Sequence, residues 1–276
     1  MLKQSSLWNL GENEKKYTIL RDKFIINNFG KKLYRIQALI DFNDVKAGEL
    51  GGFVEGYHNL SHGGYSWIYG NAQVFDDARI ESDATVVCDS YDFGITQIYE
   101  NARIGLCASV YNGVKVSGNV YVEGYSYVFG NVVIKDNAFI TDAVYIINNN
   151  LNSPAEISGN AQVGGQTHIF GSPTITEFAS IDGHVLITDK AVIKGKAKVN
   201  YSATIGGTTV LRGTTKVGGQ MVLMGDSNIS RGTINEEKDL AFHNFAVNLK
   251  RKIIGGDASS NTTNERLNDI SPRMKN

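Results

Sequence analysis

The sequence predicts an all-β fold built as a single three-sided parallel β-helix, and two repeating patterns carry this prediction. The first is aliphatic: such residues recur at every sixth position through most of the stretch 68–229. This period fits neither an amphipathic helix nor a half-buried strand. It is typical of a solenoid in which each hexad supplies one short strand and one corner. The three series of inward positions are Ile68, Val74, Ile80 and Val86; Ile98, Ile104, Val110, Val116, Val122, Val128, Ile134, Ile140 and Ile146; and Ile157, Val163, Ile169, Ile175, Ile181, Ile187, Ile193, Val199, Ile205, Leu211, Val217, Leu223 and Ile229.

The second pattern marks the corners of the tube. Alanine stands two positions before many of the aliphatic residues, often preceded by glycine or asparagine, as in Gly70-Asn71-Ala72. Glycine and asparagine tolerate the backbone of a tight turn, and alanine fits a crowded corner. Counted at three strands per turn, the series predict about nine coils.

Two steps in the repeat are irregular. The step from Val86 to Ile98 is twelve residues long, and a regular strand there would place Asp92 inside the tube. We therefore expect a six-residue excursion from the tube in this step. The step from Ile146 to Ile157 predicts a second excursion of about five residues at 148–152, because it is eleven residues long.

Each open end of such a tube exposes backbone and needs a cap. At the front, 23–28 and 32–40 predict a hairpin around Asn28-Phe29-Gly30. At the back, an amphipathic pattern predicts a helix. We therefore expect an N-terminal β cap at 1–56, a β-helix at 57–234, a C-terminal helix at 235–254 and a disordered tail at 255–276. The apolar positions of the predicted helix are Leu240, Phe242, Phe245, Leu249 and Ile253.

Composition limits the classes of partner. The net charge of -1 over 276 residues gives no general attraction to nucleic acid or to a membrane, and neither is expected as a partner. Two cysteines, Cys88 and Cys107, are too few for a disulfide framework, although a single bridge between them stays open. Because the first residues lack the apolar stretch of a secretory signal, we expect a cytoplasmic protein, with leaderless secretion as the alternative.

One stretch carries a specific resemblance. The residues from Ala38 to Glu55 (ALIDFNDVKAGELGGFVE), followed by Asn59-Leu60-Ser61 and SWIYGNA at 66–72, resemble the cap and first coil of the bacterial YdcK-like hexapeptide-repeat proteins. The remaining repeat is similar to that of the trimeric, UDP-N-acetylglucosamine acyltransferase-like superfamily. This resemblance implies a left-handed β-helix and a homotrimer. It also implies, for members that are enzymes, acyl-CoA or acyl-carrier donors at clefts between subunits, with a histidine as general base.

The outer surface is predicted by stacking residues one coil apart. The positions that flank successive inward residues of one face carry large apolar side chains where solvated ones are expected. Such a patch indicates an interface, and a homo-oligomer is the common outcome. The alternative is that the rings only hold neighbouring coils together. The predicted interface residues are Tyr111, Tyr127, Phe129, Tyr145, Ile147, Phe170 and Leu186.

His168 lies within this apolar surface and is the candidate general base, because an imidazole titrates near working pH. His184 is a second catalytic candidate, and Gln166 and Asp182 are candidates to orient the base. The alternative for His168 is an incidental surface residue. We expect structural hydrogen bonds for His58 and His62 in the cap, and a solvated or capping role on the predicted helix for His243.

A basic cluster is the second candidate site. Lys194 is predicted to stack on Arg212 and Lys198 on Lys216, with Lys196 between them. Like charges about 5 Å apart repel unless an anion or solvent relieves them. The cluster is thus a candidate phosphate anchor for coenzyme A, a nucleotide-sugar or an acidic partner, and a simply hydrated face is the alternative. No spacing predicts a metal site or a nucleotide-binding loop.

Two functions of different class remain open from the sequence. The first is acyl transfer from acyl-CoA to a small amine or hydroxyl at an intersubunit cleft, with acyl-CoA as a co-substrate and no tightly bound cofactor. The second is a non-catalytic β-helix that binds or scaffolds a protein partner through its aromatic face, as a phage-derived, secreted or effector-type module.

Overall fold

The described residues wind into a tube of short parallel strands. The computed structural model describes residues 15–87, 91–236 and 239–240, without the side chains of 91–93. This part of the chain forms 31 strands in three sheets and a short 3-10 helix, Tyr57–Asn59. The predicted fold class is confirmed as a parallel β-solenoid of about 10 turns, with a hairpin sheet at its N-terminal end. Its left-handed sense stays a prediction.

Each full turn contributes one strand to each sheet. Sheet I contains β1 (Tyr17–Ile26), β2 (Lys32–Ala38), β3 (Leu50–Val54), β5 (Gln73–Val74), β8 (Tyr91–Phe93), β11 (Ser109–Tyr111), β14 (Tyr127–Gly130), β17 (Tyr145–Asn148), β20 (His168–Phe170), β23 (Leu186–Ile187), β26 (Thr204–Ile205) and β29 (Val222–Leu223). Sheet II contains β4 (Trp67–Ile68), β7 (Thr85–Val86), β10 (Arg103–Ile104), β13 (Tyr121–Val122), β16 (Phe139–Ile140), β19 (Gln162–Val163), β22 (Ser180–Ile181), β25 (Lys198–Val199), β28 (Lys216–Val217) and β31 (Thr233–Ile234). Sheet III contains β6 (Arg79–Ile80), β9 (Gln97–Ile98), β12 (Lys115–Val116), β15 (Val132–Ile134), β18 (Ala155–Ile157), β21 (Thr174–Ile175), β24 (Val192–Ile193), β27 (Val210–Leu211) and β30 (Asn228–Ile229).

The aliphatic series forms the core in the predicted register. Val110 pairs with Val128, and Val128 pairs with Ile146, so residues 18 apart lie on one another in consecutive turns. All the inward aliphatic residues of the three series are buried. At the corner between sheets III and II, Asn101, Asn119 and Asn137 stack, and each side-chain amide donates to the next side-chain oxygen at 2.9 Å.

The twelve-residue step after Val86 is a correction to the sequence prediction. It contains a regular strand, β8, and not an excursion. Asp92 pairs with Val74 on one side and with Val110 on the other, which is the register position of the inward residues. The physical reason is backbone pairing: without β8, the strands on either side of it would lose their ladder partners in sheet I. The eleven-residue step contains the predicted five-residue excursion, because Val133 pairs with Glu156, 23 residues on, and Leu151 lies exposed in the inserted loop. The excursion begins after Asn148 and not at it, since Asn148 still pairs with Gly130 in β17.

The predicted hairpin is present and continues into the tube. β1 and β2 pair antiparallel from Tyr17–Ala38 to Ile26–Lys32, so β1 begins well before the predicted residue 23. The side chain of Asn27 accepts hydrogen bonds from the N–H groups of Phe29 and Lys31, both at 3.0 Å, and so fixes the turn. β3 then pairs antiparallel with β2 and parallel with β5, which fuses the cap to sheet I.

Two buried side chains close the front end of the other two sheets. Within sheet II the carbonyl of Ala84 accepts from the N–H of Trp67 in the previous turn. Ser66 occupies the equivalent position one turn earlier, where no previous strand exists, and the Lys16 ammonium donates to its carbonyl at 2.8 Å instead. In sheet III the side-chain amide of Asn59 donates in the same way to the carbonyl of Ala78 at 3.0 Å. Both side chains therefore replace missing strand N–H groups.

Close stacking of the corners predicts a large difference between two glycines. Gly124 and Gly225 both have positive φ, +75° and +103°. A Cβ at Gly124 would overlap the carbonyl oxygen of Asp142 in the next turn, whereas a Cβ at Gly225 would meet nothing within 4 Å. We expect Gly124→Ala to lower the free energy of unfolding by about 2 kcal/mol more than Gly225→Ala, because both carry the φ cost but only one carries the overlap. Urea unfolding of the two variants measures this, and equal losses would show that the corners move apart easily.

The chain divides into two units, Met1–Glu236 and Glu237–Asn276. The last strand ends at Ile234. Of the predicted helix 235–254 only 235–236 and 239–240 are described, and the predicted tail lies outside the described residues, as does His243. Within the described residues, no helix has the length and apolar character needed to span a bilayer.

Candidate functional site on the aromatic face

The predicted apolar surface is a continuous ladder of rings on sheet I, which we call the aromatic strip. Tyr111 contacts Tyr127 edge-on, with ring centroids 4.8 Å apart, and Phe129 at 5.2 Å. Tyr127 stacks on Tyr145 at 5.6 Å. The strip therefore consists of the predicted Tyr111, Tyr127, Phe129, Tyr145, Ile147, Phe170 and Leu186, together with His168.

Burial divides the strip into an anchored end and an open end. Tyr111 is buried, and burial followed by the charge of Tyr145 raises the pKa of Tyr127. Tyr145 and Phe170 keep 42% and 37% of their surface exposed. The ring contacts show that the strip holds neighbouring turns together, as one of the two interpretations of the sequence proposes. The exposed rings show that contacts between neighbouring turns leave part of this apolar surface uncovered in the described chain.

His168 lies at the open end. Its ring stacks on Tyr145 with centroids 5.3 Å apart and planes 14° apart, and Phe170 lies 6.1 Å away. The side chain is exposed. Stacking fixes the orientation of the imidazole, because one face rests on a ring that a rigid sheet holds in place. No hydrogen bond to its ring nitrogens is formed within the described residues.

The other predicted members of the site lie at a corner beside His168. Gln166 and His184 are exposed and follow one another in consecutive turns between sheets II and I. Asp182 accepts a hydrogen bond from the N–H of Gly183 at 2.9 Å, so its carboxylate stabilises the corner to which it belongs. Neither Gln166 nor Asp182 forms a hydrogen bond with His168, and their predicted orienting roles stay predictions.

The cap histidines behave differently from each other. The Nε2 atom of His58 lies 2.8 Å from the carbonyl oxygen of Asp76, which agrees with the expected structural hydrogen bond. For His62 that expectation is wrong: its Nδ1 atom is buried without a partner among the described residues, and its ring stacks on Tyr17 at 4.4 Å. Lys16 donates hydrogen bonds to the nearby carbonyls of Gly63 and Gly64. Burial and then the charges of Lys16 and Lys15 lower the pKa of His62.

The residues of the basic cluster stack as predicted, but they lie on sheets II and III and not on sheet I. Lys198 pairs with Lys216 in sheet II, while Lys194 and Arg212 follow consecutive strands of sheet III. None of the four forms an ion pair within the described part of the chain. In a three-sided tube the corner between sheets II and III lies opposite sheet I. One chain therefore does not bring these cations together with His168.

Sequence analysis missed a groove on sheet III, near the front of the tube. Arg79, Gln97 and Lys115 pair in successive strands, and Glu81 and Tyr99 complete the lining of a cavity of about 200 Å³. The 18-residue spacing of these positions could have predicted the groove. However, charged and polar residues alternate at these positions, which is also the ordinary pattern of a solvated surface. Within the described residues, no group of three or more His, Cys, Asp or Glu could hold a metal ion.

Fold and surface together define the class of protein: a hexapeptide-repeat parallel β-solenoid with an aromatic face. LpxA from Acinetobacter baumannii is similar in structure, with a TM-score of 0.41 and 13% identity over 55% of this chain. This chain covers 64% of that protein, less than two thirds of its length. UDP-N-acetylglucosamine acyltransferase from Campylobacter jejuni gives a TM-score of 0.27 and 16% identity, over 53% of this chain and 68% of that one. No protein-family model and no curated protein matches the sequence. Similarity at this level does not extend to an activity.

Proposed function

We propose that this protein is an acyltransferase-like β-helix that works as a homo-oligomer, with a trimer favoured, in which copies meet through the aromatic strip. One observation carries the proposal: His168 is an exposed imidazole held flat against Tyr145 within a partly exposed apolar strip. An exposed apolar patch on a rigid sheet is typical of an interface. Assembly there would place His168 at the edge of a cleft between copies.

The chemistry proposed for this cleft is acyl transfer from acyl-CoA to a small amine or hydroxyl. Neutral His168 accepts a proton from the acceptor, whose oxygen or nitrogen then attacks the thioester carbonyl. The carbon–sulfur bond breaks, the coenzyme A thiolate leaves, and it takes up a proton from the imidazolium or from water. General-base catalysis of this kind contributes about 10²–10⁴-fold to a rate.

The donor phosphates are assigned to the cations on the other faces. Lys198 and Lys216 lie side by side without an acidic partner in the described residues, as an anion anchor requires. Because the same chain presents its His168 on sheet I, we assign the anchor to a donor held between two copies. One copy supplies His168, and the other supplies the cations.

Two variants test this assignment in a thiol-release assay with acetyl-CoA and a panel of small amines and alcohols. We expect His168→Ala to lower kcat about a hundredfold or more, because it removes the proton acceptor. Lys216→Gln is expected to raise KM for acetyl-CoA severalfold with kcat unchanged, because a phosphate contact acts on binding. His58→Ala, which loses a hydrogen bond in the cap, serves as control. Absence of acetyl-CoA binding by the wild type, or an unchanged kcat in His168→Ala, would remove the enzyme proposal.

A second candidate is favoured because no side chain in the described part of the chain forms a hydrogen bond with the ring of His168. A general base is usually oriented by a neighbouring group, and Asp182 is engaged by Gly183 instead. The second candidate is therefore a non-catalytic β-helix whose aromatic strip binds a protein partner. It predicts no thiol release from any panel member.

A further inference from the structure

The groove on sheet III contains three charged side chains that form no ion pair with any described residue. Arg79 and Lys115 are exposed on either side of Gln97, and Glu81 is exposed beside them. Some charges farther along the tube do form ion pairs: Lys135 contacts Glu156 at 3.0 Å on the same sheet, and Arg103 contacts Glu123 at 3.7 Å on sheet II. Within the described residues, Arg79, Lys115 and Glu81 form no such contact.

The register places these charges in two neighbouring columns. Arg79 and Lys115 flank Gln97 in one column across the strands, so their backbones are about 10 Å apart at two strand spacings. Glu81 follows Arg79 by two residues along the chain and so faces outward in a second column, with the two Cα atoms about 6.6 Å apart. Arg79 and Glu81 are near enough for an ion pair but form none within the described residues, so the space between the two columns is open to a small molecule. Tyr99 lies next to Glu81 in the second column and adds a phenolic donor and acceptor.

The geometry points to a binding site for a small molecule that carries an oxyanion and an amino group a few bonds apart. The oxyanion, a phosphate or a carboxylate, lies over Gln97 between Arg79 and Lys115, where two cations and an amide donate to it. The amino group lies over the second column, where Glu81 and Tyr99 accept from it. A volume of about 200 Å³ is below that of pockets for drug-sized ligands, so the ligand is small. The groove lies on a different sheet from the aromatic strip, and the inference is independent of the proposed function.

Isothermal titration of the full-length chain tests the site with three probes: O-phosphoethanolamine, β-alanine and inorganic phosphate. We expect at least one amine-bearing probe to bind more tightly than inorganic phosphate, and the better of the two identifies the oxyanion. Arg79→Gln should weaken that probe roughly tenfold, because it removes a charge-assisted contact. Glu81→Gln should weaken the same probe and leave the affinity for inorganic phosphate unchanged or higher.

Lys135→Gln is the matched control, since Lys135 lies on the same sheet outside the groove and is already paired. Its probe affinities should equal those of the wild type. The inference is overturned if neither amine-bearing probe gives binding heat, if Arg79→Gln and Lys135→Gln behave alike, or if Glu81→Gln weakens phosphate as much as the amine-bearing probe. Arg79 and Glu81 are exposed and Lys135 is half-buried, and circular dichroism confirms that each variant is folded.

Discussion

Replacing Lys16 with methionine is expected to lower the free energy of unfolding by about 3 kcal/mol, a large effect for a residue of the N-terminal cap. The Lys16 side chain is fully buried, and its Nζ atom donates to the Ser66 carbonyl at 2.8 Å, the Ser66 hydroxyl at 3.1 Å and the Gly64 carbonyl at 3.2 Å. Methionine has similar volume and no donor. Exchange of a buried ion pair for apolar groups can be neutral, but here the acceptors are main-chain carbonyls that remain behind unpaired.

Lys15→Met is the control for this experiment. Lys15 precedes Lys16, is exposed, and contacts the Tyr57 ring as a cation 5.3 Å from its centroid. We expect it to change the free energy of unfolding by less than about 1 kcal/mol. Urea unfolding followed by circular dichroism compares both variants with the wild type. If the two lysines prove equivalent, water satisfies the carbonyls of the first turn and the tube end needs no side-chain cap.

The cost of Lys16→Met should also depend on pH. Burial lowers the pKa of Lys16 from 10.5 to about 7, against an opposing effect of Asp83. Between these values the unfolded chain binds the proton, whereas folded Lys16 is a neutral amine that keeps two N–H donors for the carbonyls, so wild-type stability rises with pH across this window. Below about 7 both states are protonated and the contribution of Lys16 is smallest. The difference between wild type and Lys16→Met is therefore expected to grow from pH 7 to pH 9. Neighbouring titratable groups in the cap are His62, Tyr57 and Tyr17, so the slope is read as a difference between the two proteins.

The sequence predicted the body of the fold because one simple force sets it. An aliphatic residue every sixth position allows one placement of the core, and this placement fixes the 18-residue register of pairs such as Tyr127 with Tyr145. The insertion between Asn148 and Ala155 was predictable for the same reason, since it shifts the repeat by five residues. The aromatic strip followed directly from the register.

The sequence failed where backbone pairing or single side chains decide the structure. β8 keeps its place in sheet I although Asp92 stands at the inward register position. The strands on either side need a backbone partner there, whatever the side chain is. The role of Lys16 was hidden, since a lysine at the start of a strand normally predicts exposure. Its burial depends on carbonyls 50 residues away that no local pattern reveals. The orientation of His168 was hidden for a similar reason, because it depends on stacking against the ring of Tyr145 in another turn.

Phe170→Asp is expected to convert the proposed homo-oligomer to single chains of 30.1 kDa. Phe170 is 37% exposed at the open end of the aromatic strip, and a carboxylate there would be buried without a partner when two copies meet. Such a burial costs several kcal/mol, enough to shift an association constant by more than a thousandfold. Sedimentation velocity over a range of concentrations measures the mass.

Phe139→Asp is a closely matched control, because Phe139 has the same 37% exposure, also flanks an inward residue, and lies on sheet II. Its ring pairs with Tyr121 at 6.1 Å, much as Phe170 pairs with His168, so each substitution removes one comparable ring contact within the chain. A difference in mass between the two variants can then come only from the face on which the charge is placed. If both keep the wild-type mass, the copies do not meet through the strip, and an exposed apolar face that is not used for self-association favours the non-catalytic binding module over the intersubunit enzyme.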